Sequence, residues 1–139
     1  MKTKIISEIG VNHNGAFSLA KRLIDYSAKA KADFVKFQIY KTENLVRKNT
    51  KKSFYQKINS KDRESQFDML KKYELNFSTH EKLFNYAKKK KINYIASPFD
   101  VESYNFLNDL SPKLIKIGSG EITNYFLLKE ISKFRGEIV

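Results

Sequence analysis

Two lysines stand inside apolar segments whose composition predicts β-strands. Lys36 lies in segment 34–38, and Lys116 lies in segment 114–118. Because alternate residues of a strand point to opposite faces, Lys36 and Gln38 are predicted to share one face. Burying an unpaired ammonium is costly. Each lysine therefore needs either a carboxylate partner or an anionic ligand.

Further polar side chains follow the predicted strands. Glu8 belongs to the first strand, Ser97 closes the third, and Ser119 and Glu121 follow the fourth. Active sites of parallel α/β folds lie at the carboxyl ends of the strands. Hydroxyl groups beside two lysines suit a phosphate or a carboxylate. The alternative for each lysine is an ion pair with Glu8 or Glu121, or an ammonium that extends to solvent.

The two histidines carry a weaker signal. His13 stands between two asparagines and can hold a loop through hydrogen bonds, and His80 is predicted to be structural. The same stretch predicts a helix over 78–91, begun by a capping box of Ser78 and Glu81.

The elements that position these side chains alternate along the chain. Apolar, β-branched segments predict strands over 4–9, 33–40, 92–97, 114–118 and 137–139. Amphipathic spacing predicts helices around the stripe 19–27 and over 65–73, 78–91, 101–110 and 124–134. A polar stretch covers 41–62.

Repeated strand–helix order predicts an α/β fold with a parallel sheet covered by helices. No G-x-G-x-x-G follows the first strand, which disfavours a dinucleotide-binding sheet. A complete (β/α)8 TIM barrel takes about 250 residues. We therefore predict a partial barrel, about the first four βα units plus the start of strand five. A half barrel leaves an unpaired edge, so we interpret the chain as a truncated or split product.

Composition excludes several classes of protein. The 139 residues contain no cysteine, which excludes disulfides, thiolate metal sites and cysteine catalysis. No apolar run approaches 18 residues, and the first residues lead straight into a strand, so we expect a cytoplasmic protein without a membrane partner. The net charge of +12 is concentrated in 48–61 and 88–91. We interpret it as a solvated lysine-rich surface and do not expect nucleic acid as a partner.

Five blocks of sequence together resemble the N-acetylneuraminate (sialic acid) synthase family. They run in order along nearly the whole chain: EIGVNHNG at 8–15, VKFQ at 35–38, ENLV at 43–46, SPFD at 97–100 and KIGSGEIT at 116–123. The resemblance implies a (β/α)8 barrel followed by a small antifreeze-like domain. Residues 1–139 would be the N-terminal part of that barrel, without its second half and without the antifreeze-like domain.

The family condenses phosphoenolpyruvate with N-acetylmannosamine or a related aldose. The resemblance implies attack by C3 of phosphoenolpyruvate on the open-chain aldehyde, addition of water at C2, and release of phosphate by C–O cleavage. It also implies a homodimer and a divalent metal, Mn²⁺ or Mg²⁺, that polarises the aldehyde. The metal ligands would come from later strands, because neither His13 nor His80 matches their positions.

The resemblance also assigns roles to individual residues. By this reading, phosphoenolpyruvate is held by Lys36, Gln38, Ser97, Lys116 and Ser119. Glu8 and Glu121 would serve as catalytic groups beside the sugar and the reacting carbons. The family commonly has threonine at the position of Ser97, which keeps the hydroxyl. The motif forms disfavour the pseudaminic branch, but the nonulosonic acid that is made stays open.

Two alternatives remain. Lys36 or Lys116 could be a Schiff-base lysine of an aldolase-like barrel, because an apolar environment exposes a lysine as a nucleophile. The chain could also be a non-catalytic barrel fragment that binds acidic partners through its lysines. We expect the 139 residues alone to be inactive.

Overall fold

Strands and helices alternate in a computed structural model that describes residues 3–48 and 65–139. The elements are β1 (Ile6–Gly10), α1 (Phe17–Lys29), β2 (Phe34–Ile39), α2 (Thr42–Leu45), α3 (Gln66–Tyr73), α4 (Phe77–Lys89), β3 (Asn93–Pro98), α5 (Val101–Asp109), β4 (Leu114–Ile115), a 3-10 turn (Ser119–Glu121), α6 (Tyr125–Ile131) and β5 (Glu137–Ile138). Most of the predicted polar stretch 41–62 lies outside the described residues.

The strands are all parallel and follow one another in chain order. β1, β2 and β3 form one sheet, and β4 pairs with β5. The Lys116 N–H donates to the Ala96 carbonyl oxygen at 3.2 Å, which places the end of β4 beside β3. This strand order confirms the predicted α/β fold with a partial parallel sheet.

The two faces of the sheet carry different apolar clusters. Val35, Phe37 and Ile39 pack with the surrounding helices, and all three are fully buried. Phe34 instead packs with Ile6, Ile95 and Leu114 on the opposite face. Each fully buried aliphatic or aromatic side chain contributes roughly 1.5–3 kcal/mol. The separation of Phe34 from Val35, Phe37 and Ile39 confirms the predicted alternation of β2, which puts Lys36 and Gln38 on the face of Phe34.

Two buried histidines flank an aromatic stack beneath the helices. Phe37 stacks on His13 and on Tyr94, with ring centroids 5.9 and 5.2 Å apart. His80 Nδ1 lies 2.6 Å from the Tyr94 hydroxyl oxygen. Burial, followed by the nearby His13, lowers the pKa of His80 to about 3. The prediction that His80 is structural is confirmed.

His13 holds the loop that follows β1. Its Nδ1 accepts a hydrogen bond from the Gly15 N–H at 3.1 Å, and burial lowers the pKa of its imidazole. Gly15 has φ +75°, and a Cβ there would lie 2.3 Å from the Lys72 carbonyl oxygen. Only glycine therefore fits between this loop and α3.

The predicted capping box at Ser78 and Glu81 is wrong. α4 begins at Phe77, and the Asn76 side chain caps it by accepting from the Thr79 N–H at 2.8 Å. Asparagine is among the strongest N-caps. The helix therefore starts earlier than predicted, and Ser78 and Glu81 are exposed residues of its first turns.

The last two elements are shorter than predicted. β4 covers two residues instead of five, because it pairs with β5 over only two positions before the chain curves into the 3-10 turn. α6 ends at Ile131 instead of 134, because the chain must turn back for the Glu137 N–H to reach the Lys113 carbonyl oxygen. Gly136 lies at that approach, where a Cβ would be 2.8 Å from the same oxygen.

The lysine run 88–91 is exposed at the end of α4, as predicted. Lysines there complement the negative end of the helix dipole. Most of the other run, 48–61, falls outside the described residues. Among the helices that the structure describes, none is long and apolar enough to cross a membrane.

Candidate active site

The carboxyl ends of β1, β2 and β3 bring four of the predicted site residues onto neighbouring positions. Glu8 of β1 is the register partner of Lys36 on β2. Gln38 of β2 is the register partner of Ser97 on β3. Partners on adjacent strands share a face, so these side chains belong to the face opposite the main helical core.

Lys36 is paired with a carboxylate. Its Nζ lies 2.8 Å from Glu8 Oε2, and the exposed fractions of the two side chains are 9% and 58%. The pair satisfies the buried ammonium, so the charge of Lys36 does not by itself require a ligand. Of the two explanations offered by the sequence, the structure shows the ion pair.

Ser97 presents a polar atom that nothing satisfies in the described part of the chain. The residue is 1% exposed, and its hydroxyl oxygen has no hydrogen-bond partner there. Leaving a buried polar group unsatisfied costs about 1–3 kcal/mol. The unsatisfied Ser97 hydroxyl, beside Gln38, can therefore hydrogen-bond an oxygen of a ligand or of a water molecule.

Lys116, Ser119 and Glu121 follow β4. Lys116 is partly buried, and within residues 3–48 and 65–139 no carboxylate oxygen lies within 4.0 Å of its ammonium. Glu121 instead accepts a hydrogen bond from the Asn124 side chain at 2.7 Å. The predicted alternative of a Lys116–Glu121 ion pair is therefore not formed. Ser119 is exposed at the first position of the 3-10 turn.

Asp100 anchors the site through four hydrogen bonds, a role that was not predicted from the sequence. Its carboxylate accepts from the Lys41 N–H, the Ser103 N–H and the Ser103 hydroxyl at 2.9, 2.9 and 2.7 Å. The Asn44 side chain adds a fourth bond at 3.2 Å. Asp100 thus caps α5 and ties the chain after β2 to the end of β3. An aspartate just before a helix, with serine three positions on, is the signal that predicts the capping half of this role.

A second anchor joins α2 to α3. Glu74 Oε2 accepts from the Thr42 N–H at 2.9 Å and from the Thr42 hydroxyl at 2.6 Å. Lys71 Nζ lies 2.9 Å from Glu43 and 3.1 Å from Glu74. The hydrogen bond from Lys71 holds the pKa of the Glu43 carboxyl below its usual value. The ENLV segment is thereby fixed to the body of the fold.

No metal site is formed by the residues that the structure describes. These ranges contain no group of three or more histidine, aspartate, glutamate or cysteine side chains able to hold a metal ion. The rings of His13 and His80 are both buried and both engaged in hydrogen bonds. The described residues therefore do not fit a divalent metal.

A cavity of about 370 Å³ lies at the other end of the strands. It is lined at the amino ends of β3 and β4 by Asn93, Tyr94 and Lys113, among others. The residues with strand-end chemistry lie at the opposite, carboxyl ends. Active sites of this class of fold lie at the carboxyl ends of the strands. The candidate site is therefore the group of polar side chains at those ends, and this cavity is not part of it.

Comparison with known proteins shows which protein family this chain resembles. Residues 23–139 match the model of the NeuB family. The chain is 47% identical over 138 residues to the N,N'-diacetyllegionaminic acid synthase of Campylobacter jejuni, covering 99% of this chain and 41% of the relative. It is 44% identical over 120 residues to the synthase of the same name from Legionella pneumophila, covering 86% and 34%. Its identity to the pseudaminic acid synthase of Helicobacter pylori is 27% over 136 residues, covering 98% and 40%.

A solved structure extends the likeness to the fold. The N-acetylneuraminic acid (sialic acid) synthetase from Leptospira borgpetersenii, in complex with citrate, superposes with a TM-score of 0.82 at 31% identity. The match covers 99% of this chain and 44% of that one. The chain thus spans less than half the length of the relatives it matches. The partial barrel predicted from the sequence is confirmed by this likeness.

Proposed function

This chain belongs to the NeuB family, and from that premise we propose that it forms the phosphoenolpyruvate-binding part of a nonulosonic acid synthase. Such an enzyme is a carbohydrate-biosynthetic transferase that condenses phosphoenolpyruvate with an N-acetylated aldose and releases phosphate. The observation that carries the proposal is the grouping of Lys36, Gln38 and Ser97 on one face at the strand ends, with Lys116 joining from β4.

Phosphoenolpyruvate carries a phosphate and a carboxylate, so it needs cations and hydrogen-bond donors together. Lys36 and Lys116 supply the positive charge from the two sides of β3. The unsatisfied Ser97 hydroxyl and the Gln38 amide supply donors, and the exposed Ser119 hydroxyl supplies another. In the reaction these groups would stabilise the charge that develops as the C–O bond to phosphate breaks.

Glu8 and Glu121 are the proposed catalytic carboxylates. The Glu8 side chain is 58% exposed on the face that carries Lys36. Glu121 is held through its hydrogen bond with Asn124. Each can accept a hydrogen bond from a sugar hydroxyl or take part in proton transfer at the reacting carbons.

Among the nonulosonic acids, we propose a legionaminic-type product. Identity to the two legionaminic acid synthases is 47% and 44%, against 27% for the pseudaminic acid synthase. The co-substrate would then be the six-carbon N-acetylated aldose that yields this product by addition of three carbons. We further propose that 1–139 is the first part of a longer catalytic unit, whose other part supplies the Mn²⁺ or Mg²⁺ ligands, the antifreeze-like domain and a homodimer contact.

The experiment separates binding from turnover. Binding of phosphoenolpyruvate is measured on this chain by NMR titration. Turnover is measured on the chain alone and on a hybrid in which it replaces the matching 138 residues of the C. jejuni synthase. We expect millimolar or tighter binding by the chain, and phosphate release with formation of the nine-carbon acid by the hybrid in the presence of the aldose and Mn²⁺.

Matched variants make the test specific. Lys116→Gln in the hybrid should lower phosphate release by at least about tenfold, since removing a charged hydrogen-bond partner costs about 1.5–3 kcal/mol. Lys113→Gln, on the preceding turn at the other end of β4, should leave it unchanged. A hybrid that folds but releases no phosphate, or loses equal activity in both variants, contradicts the proposal. Trapping of a keto substrate on Lys36 or Lys116 by borohydride would instead favour the Schiff-base alternative.

A further inference from the structure

The carboxylate of the Glu8–Lys36 pair is held differently from the buried carboxylate of Glu74. Glu74 is only 10% exposed at its side chain and accepts from the Thr42 N–H, the Thr42 hydroxyl and Lys71. Glu8 is 58% exposed, and in the described residues its carboxylate has a single partner, the Lys36 ammonium. Glu74 is therefore held in place from several sides, whereas Glu8 is held from one.

The asymmetry of the pair determines which partner can leave. The Lys36 side chain is 9% exposed, so its ammonium lies within the fold. The Glu8 carboxylate already faces solvent and needs little further reorganisation to turn away. The register of β1 against β2 shifts between Glu8 and Gly10, so the backbone beside Glu8 is irregular. Gly10 has φ +55°, which glycine adopts at no cost.

From these contacts we propose that Glu8 is a placeholder counter-ion, which neutralises Lys36 in the ligand-free protein and is displaced when an anionic substrate binds. This rests on the proposed function, because it takes Lys36 to be an anion-binding lysine. The entering phosphate or carboxylate replaces the Glu8 oxygen at the Lys36 ammonium, and the Ser97 hydroxyl gains the partner that it lacks. No covalent bond changes.

The displacement has a functional consequence. Glu8 is also a proposed catalytic carboxylate, and while it is bound to Lys36 its Oε2 is occupied. Binding of the anion releases that oxygen toward the exposed side of the site. The carboxylate becomes available to the second substrate only when the first is in place, so the ion pair couples occupancy of the anion site to the readiness of Glu8.

The test compares anion affinity in two glutamate variants. Dissociation constants for phosphoenolpyruvate and for inorganic phosphate are measured on the full chain by calorimetry or NMR. If Glu8 competes with the anion, Glu8→Gln should bind both about fivefold more tightly, equivalent to about 1 kcal/mol. Glu81→Gln removes the same charge from an exposed position of α4 outside the proposed site, where no lysine pair forms among the described residues, and it should change affinity less than about twofold. Weaker binding by Glu8→Gln, or an equal gain in both variants, overturns the inference.

A measurement on the unaltered chain covers the case in which Glu8→Gln does not fold. The side-chain carboxyl ¹³C signal of Glu8, assigned with Glu8→Asp, is followed during titration with phosphate. It should move in step with binding, and a signal that stays fixed as the site saturates overturns the inference. If the unaltered chain binds neither anion, the proposed anion site itself fails. If it binds both and Lys36→Gln abolishes binding, the anion site stands, and the two glutamate variants decide on Glu8 alone.

Discussion

Acid should unfold this protein through His80. Burial lowers the pKa of His80 to about 3, against about 6.5 for an exposed imidazole. Between about pH 6.5 and pH 3, His80 therefore stays neutral in the folded state and becomes protonated in the unfolded state. The stability that depends on neutral His80 is fully present above about pH 6.5 and is lost as the pH falls from there toward 3.

The size of the loss follows from the two pKa values. A pH of 5 lies about 1.5 units below the pKa of the unfolded imidazole. Each unit lowers the free energy of unfolding by about 1.36 kcal/mol. His80 alone should thus lower the free energy of unfolding by about 2 kcal/mol between pH 8 and pH 5. The pKa of His13 is also lowered by burial, so its contribution has the same sign. The sequence contains no other histidine, so these two are the only imidazoles that can contribute to the change.

Urea unfolding at several pH values measures the effect. His80→Gln removes the titration and keeps a side chain that can hydrogen-bond the Tyr94 hydroxyl, and His13→Gln measures the separate contribution of the other buried imidazole. The first variant should be less stable than the parent at pH 8, yet lose about 2 kcal/mol less on going to pH 5. A parent that shows no loss between pH 8 and pH 5, or a His80→Gln variant that keeps the full pH dependence, would refute this role of His80.

Three further predictions concern single side chains. Asn76→Ala should lower the free energy of unfolding by about 1 kcal/mol, because it removes the cap of α4. The control Ser78→Ala should change it by less than about 0.5 kcal/mol. Equal losses in urea unfolding would contradict the observed cap. Ser97→Ala should leave the free energy of unfolding unchanged or raise it by up to about 1 kcal/mol, since it deletes an unsatisfied buried hydroxyl. The same variant should weaken phosphate binding in the NMR titration. A loss of stability above about 2 kcal/mol would show that the hydroxyl is satisfied in the folded chain. Gly15→Ala should lower the free energy of unfolding by more than about 2 kcal/mol, because its Cβ meets the Lys72 carbonyl oxygen at a positive φ. Gly120→Ala is the control, because a Cβ there meets nothing within 4 Å. Similar thermal midpoints for the two variants would contradict the prediction.

The strands and the face of the sheet could be predicted from the sequence because they depend on local pattern. Alternation within β2 was enough to put Lys36 and Gln38 on one face, and the apolar neighbours of Lys36 were enough to predict its burial. The partner of Lys36 could not be chosen from the sequence, because it depends on the register between β1 and β2. A shift of one residue would have turned Glu8 to the other face.

Element ends were less predictable, since several residues compete for the same role. Asn76 and Ser78 are both good N-caps, and tertiary packing decides between them. The ends of β4 and α6 depend on where β5 pairs, which is a contact between distant parts of the chain. Asp100 illustrates the same limit, because its bonds to Lys41 and Asn44 cross more than fifty residues.

The hydrogen bond from the Lys116 N–H to Ala96 bears on hydrogen exchange. β2 is paired along both edges, so its amide protons exchange only when the three-stranded sheet opens. β4 and β5 share a two-residue ladder and are linked to β3 through the Lys116 amide. Local opening requires less free energy where fewer hydrogen bonds break. The amides of β4 and β5 should therefore exchange sooner than those of β2, so that Lys36 sits in a slowly opening unit and Lys116 in a rapidly opening one.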